Sequence, residues 1–115
     1  MKKASLTENL DYKENSPAVK VLFETEASKE IRMAFKAGQG LKEHKTSFPI
    51  VVEVFEGAID FGVQGEIQAL KKGDLIALEG NVPHDLKAKE NSIVRLSLTK
   101  ADTAERVENV AKNSM

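Results

Sequence analysis

The chain has 115 residues, a net charge of −1 and 30% charged residues. That length sets a single domain able to bury roughly 65% of the unfolded chain's surface. The signs are interleaved, which leaves no electrostatic footprint for nucleic acid or an anionic membrane. There is no cysteine, so disulfides, thiolate metal sites and cysteine nucleophiles are excluded.

One tyrosine, five phenylalanines and no tryptophan offer few stacking platforms for single-stranded nucleic acid. No apolar run approaches the ~18 residues of a membrane span. No apolar signal core follows Met1-Lys2-Lys3 either. A cytoplasmic protein with neither nucleic acid nor membrane as partner is expected.

Residues 1–17 are polar, lack periodicity and end at Ser16-Pro17. They read as an arm, either partly disordered or docked on a partner subunit. Val19 to Phe23 is the first strand-like run. Ile31, Met33 and Phe35 then alternate with polar or small residues, the pattern of a half-buried strand. Gly38 and Gly40 interrupt it. Val51 to Phe55 is dense in β-branched residues, and Ile59, Phe61 and Val63 alternate after Gly57. Gln64-Gly65 fits a two-residue hairpin loop leading into Ile67 to Leu70. Lys72-Gly73-Asp74 is a turn, with Asp74 bonding its own backbone. Leu75 to Leu78 is a short strand, and Glu79-Gly80-Asn81 turns again.

Val82, His84, Leu86 and Ala88 alternate with polar or turn-forming residues, which places His84 on the inward face of its strand. Residues 93–99 give the last strand of a barrel spanning 18–100. In the tail, 101–115, Asp102 and Glu105 resemble a capping box, and Ala104, Val107, Val110 and Ala111 recur at helical spacing. The fold class is therefore all-β, an antiparallel barrel or jelly roll with a short C-terminal helix.

Two stretches organise the chain. Gly38 to Gly57 holds one of the two histidines and Gly73 to His84 holds the other. In their spacing they resemble the two motifs of a single-domain cupin, G-x5-H-x-H-x3-E-x6-G and G-x5-P-x-G-x2-H-x3-N. Gly38, His44 and Gly57 match the first, and Gly73 and His84 match the second. The resemblance covers residues 30–99 and implies a cupin-like, RmlC-like jelly roll (a double-stranded β-helix). In metal-binding cupins four motif side chains surround one divalent ion. At those positions this chain has His44, Thr46, Ile50 and His84. The second motif departs further, with Glu79, Asn81 and Ala88 in place of proline, glycine and asparagine.

Two imidazoles leave most of a metal's shell to water, and Ile50 puts hydrocarbon where an anionic ligand belongs. The missing carboxylate also removes the charge that offsets a dication in a low-dielectric cavity. No tightly held cofactor is expected. If zinc, nickel, manganese or iron does bind, His44 and His84 are its ligands. Glu43 and Glu53 are the nearest carboxylates in sequence, and strand parity turns both away from His44 and Ile50. Ser47 is placed on the opposite strand face from His44, which argues against a serine–histidine couple.

The expected role is a small-molecule-binding protein with His44, Thr46, Ile50 and His84 in the pocket and no catalytic residue identified. Two alternatives stay open. One is a metal-dependent cupin oxygenase or isomerase with a substituted ligand set. The other is a structural subunit whose histidines are hydrogen-bonded core residues. The mixed row Val51, Glu53 and Phe55 predicts a homodimer contact.

Overall fold

The structure is a computed structural model that describes residues 1–100 and 110–112. Among the described residues nine strands form: β1 (Ala18–Glu24), β2 (Ser28–Phe35), β3 (Gly40–His44), β4 (Ile50–Glu56), β5 (Ala58–Val63), β6 (Glu66–Lys71), β7 (Leu75–Leu78), β8 (His84–Ala88) and β9 (Ser92–Thr99). They make a five-stranded sheet, β1-β2-β9-β4-β7, facing a four-stranded sheet, β3-β8-β5-β6. Every pairing is antiparallel. This is the expected jelly roll. Val110 to Lys112 are helical, and the rest of the predicted tail helix lies outside the described residues.

Alternation in sequence becomes two facing apolar layers. Ile31, Met33 and Phe35 from β2, Val52 and Val54 from β4, and Val94, Leu96 and Leu98 from β9 line one sheet. Leu41, Ile59, Phe61, Leu70, Leu86 and Ala88 meet them from the other. Each large side chain buried here contributes about 1.5–3 kcal/mol. Gln64 and Gly65 both take positive φ in the β5–β6 hairpin, and the Lys71 amide donates to the Asp74 carboxylate at 2.9 Å. That bond holds the Asp74 carboxyl below the usual carboxylate range.

Outward-facing side chains of the five-stranded sheet do two different jobs. Arg95 donates Nε–H to Glu53 at 2.8 Å and Nη1–H to Glu30 at 2.6 Å. Ser97 and Ser28 donate to the same Glu30 carboxylate. The hydrogen bond to Glu53, aided by that to Glu30, raises the Arg95 pKa despite its partial burial. Arg32, on β2, holds the N-terminal arm. The residue is 4% exposed, and its guanidinium donates to the carbonyls of Glu8 at 3.0 Å and Asn9 at 3.1 Å. Gln39 donates to the Lys13 carbonyl at 2.7 Å. Composition alone suggested a loosely held arm. Two buried side chains of the barrel supply anchors that composition does not reveal.

Gly57 carries the chain from one sheet to the other between β4 and β5. Its φ is +94°, and a Cβ there would lie 2.6 Å from the Asn91 carbonyl oxygen and 2.7 Å from Ser92 Cα. Gly57→Ala is therefore expected to destabilise the fold by at least about 2 kcal/mol in urea unfolding, through left-handed strain and backbone overlap together. A loss below about 0.5 kcal/mol would contradict this account of the crossover.

Candidate functional site

The site sits between the two sheets, and its decisive local feature is an irregularity in β3. Leu41 pairs with Leu86, and the next paired residues are His44 and His84. Two residues of β3, Lys42 and Glu43, thus stand against the single Asp85 of β8, which is a β-bulge. Leu41 and His44 are three apart, so an unbroken strand would send them to opposite faces. The bulge returns His44 to the inner face, opposite His84. Neither histidine would face the other without it.

The two imidazole centroids are 4.4 Å apart with planes inclined at 60°. Phe61, inward on β5, stacks on His84 at 5.5 Å and 9°. His84 is 3% exposed. His44 Nδ1 lies 2.7 Å from the Lys42 carbonyl oxygen, and His84 Nδ1 lies 2.9 Å from that of Val82. A carbonyl only accepts, so both Nδ1 atoms carry the proton. In the neutral rings Nε2 is then the acceptor on both.

Thr46 and Ile50 reach the same cavity by a different route. Residues 45–49 form a bend, so His44 and Ile50 belong to opposite sheets and not to one strand. Asn81 N–H donates to the Thr46 carbonyl across this bend. Gly80 packs so close that a Cβ would come 2.6 Å from the Ser47 carbonyl oxygen. Glycine is needed there for the approach. Thr46, itself buried, donates its hydroxyl to the Phe48 carbonyl at 2.6 Å, which leaves its oxygen lone pairs as its polar offer to the cavity.

All four residues singled out in the sequence, His44, Thr46, Ile50 and His84, therefore line one cavity. Among the described residues the other lining groups are hydrocarbon or thioether side chains from both sheets, together with Val110. The space open to the centre of a water-sized sphere is about 30 Å³. Room for a water or two is all that this conformation leaves. Glu43 is exposed on the bulge, Glu53 faces outward to Arg95, and Ser47 is exposed in the bend. Among the described residues no group of three or more His, Cys, Asp or Glu side chains comes together. The described residues thus bring two imidazole nitrogens and no carboxylate to the cavity, fewer than the three protein ligands usual at a catalytic zinc. Sequence reasoning missed Phe61, Leu86 and Val110 among the lining residues. The helical spacing of Val110 was visible, but not where that helix docks.

No protein-family model matches the chain, and no curated protein matches it. Solved structures do. An RmlC-like cupin protein from Desulfovibrio desulfuricans superposes with a TM-score of 0.79 at 22% identity, covering 86% of this chain and 96% of the other. A protein with a double-stranded β-helix domain from Klebsiella pneumoniae gives 0.76 at 20% identity, covering 85% and 89%. An RmlC-like cupin from Shewanella frigidimarina gives 0.73 at 19% identity, covering 88% and 93%. Likeness at these identities speaks for the fold, and the chain has the double-stranded β-helix fold of the RmlC-like cupins.

Proposed function

We propose that this chain binds a small molecule in the barrel, at the facing imidazoles, without a tightly held metal. The observation that carries the reading is the polarity of the pocket. Among the described residues two histidines with Nδ1–H set on main-chain carbonyls and the Thr46 oxygen are its polar groups, and the remaining wall is apolar. Such a lining suits an apolar molecule that carries a hydrogen-bond donor, such as a hydroxyl or an N–H. Among the described residues no carboxylate, lysine or arginine lines the cavity. A cytoplasmic setting belongs to the same reading, supported by the balanced charge and the lack of cysteine.

One observation favours a second reading, a metal-dependent oxygenase or isomerase. Imidazoles whose Nδ1–H is fixed by a carbonyl are oriented as metal ligands usually are. The ligand count argues the other way. Metal analysis of protein purified without chelator, beside His44→Ala and His84→Ala, separates the two. The expected result is substoichiometric metal that neither substitution changes, with phenol at pH 8 raising the melting temperature more than anisole does. Near-stoichiometric metal removed by both substitutions would overturn the first reading.

The same proposal makes the protein a homodimer through the outer face of the five-stranded sheet. Val51, Glu53 and Phe55 are half-buried there beside the Arg95–Glu30 network, a mixture of apolar and polar groups suited to an interface. Light scattering on the eluting protein should give twice the chain mass, and Phe55→Glu should give the monomer. A monomeric wild type at micromolar concentration would contradict it.

A further inference from the structure

The outer face of β2 holds a buried cation that the described residues do not neutralise. Arg32 stands in register with two further cations, Lys20 on β1 and Arg95 on β9. Like charges directly opposite one another destabilise a sheet, so such a row calls for counter-charge. Arg95 has it in Glu53 and Glu30. Among the described residues neither Arg32 nor Lys20 pairs with a carboxylate, and Lys13 on the N-terminal arm does not either. The arm meets Arg32 with dipoles only. Ser5 Oγ accepts from the amides of Thr7 at 3.1 Å and Glu8 at 2.9 Å, and Asn9 takes a φ of +53°. That turn presents the Ser5 and Glu8 carbonyls to Nη1 and the Asn9 carbonyl to Nη2. Nε–H and one Nη2–H of the five donors take no part in these bonds.

A cleft of about 340 Å³ opens between the arm and the sheet at this point. Arg32, Lys13 and Lys20 line it, and the one carboxylate among its lining residues is that of Asp11. We infer that this cleft binds a phosphate-type dianion, with the Arg32 guanidinium as its buried donor and the Lys13 and Lys20 ammonium groups as its exposed ones. Three cations against one carboxylate leave two positive charges, the complement of a phosphate group at pH 8. A buried guanidinium without a counter-ion is costly. An anion that takes the unused N–H donors removes that cost and adds charge-assisted hydrogen bonds. The volume lies in the range of small-molecule sites, so the cleft has room for an organic group on the phosphate. Ile31 and Met33, on either side of Arg32 in β2, face the core, so the sheet itself stands between this cleft and the imidazole cavity. The inference is therefore independent of the binding reading above.

Isothermal titration of the full-length protein at pH 8 and constant ionic strength tests it with two probes, inorganic phosphate and glycerol phosphate. Binding of at least one probe is expected at concentrations up to about 10 mM. Lys20→Gln is expected to weaken it about fivefold. Arg32→Lys keeps the charge but loses the planar fork, and a weakening of about tenfold is expected there. Lys72 pairs with Glu56 and does not line the cleft, so Lys72→Gln should leave the affinity within about twofold. Tighter binding of glycerol phosphate would assign an organic monoester, and equal or weaker binding would assign free phosphate; both outcomes support the site. No binding of either probe up to that limit would overturn the inference. So would affinity undiminished in Lys20→Gln, a readout that does not depend on Arg32→Lys keeping the arm in place. An equal loss in Lys72→Gln would overturn it too, since attraction would then follow overall charge and not this cleft.

Discussion

One extra residue in β3 is the constraint on which the site depends. Regular pleating would turn His44 out to solvent, because it lies three positions from the inward Leu41. The bulge opposite Asp85 cancels that odd step. It also brings the Lys42 carbonyl within 2.7 Å of the His44 ring, so the irregularity that aims the imidazole also selects its tautomer. On the facing strand the Val82 carbonyl does the same for His84. Two main-chain carbonyls thus fix the chemical character of the cavity before any ligand arrives.

The rest of the architecture is arranged to hold that pair. β8 lies between β3 and β5, which puts His84 beside His44 on one side and against Phe61 on the other. The bend at residues 45–49 carries the chain to the opposite sheet and leaves Thr46 behind in the cavity. The turn at Gly80–Asn81 clamps that bend through the Thr46 carbonyl. Carboxylates are spent elsewhere. Glu53 and Glu30 neutralise Arg95 on the outer surface, and Glu43 points outward from the bulge. Among the described residues, what remains inside is two imidazoles and one hydroxyl in an apolar wall.

Most of the fold was legible in the sequence because alternation with period two is strong in β2, β4, β5, β8 and β9. The inward face of His84 followed directly from Val82, Leu86 and Ala88. The Gln64-Gly65 hairpin followed from turn chemistry. Other features were hidden for identifiable reasons. A bulge leaves no mark in composition, so the facing of His44 came from a family resemblance and not from its own strand. Treating residues 44–50 as one strand gave Glu43 and Ser47 outward positions that are correct. The reason is a bulge and a bend, not parity. The anchoring of the arm by Arg32 and the seat of Val110 are tertiary contacts between segments far apart in sequence, and no local pattern encodes them.

The central claim is that both imidazoles are held with Nδ1 protonated and Nε2 accepting. Long-range proton–nitrogen correlation NMR on ¹⁵N-labelled protein at pH 8 reads this directly, since only two histidines contribute. The account predicts that both rings show a protonated-type Nδ1 and an unprotonated-type Nε2. A ring with the proton on Nε2, for either His44 or His84, would contradict it, and with it the acceptor character assigned to the cavity.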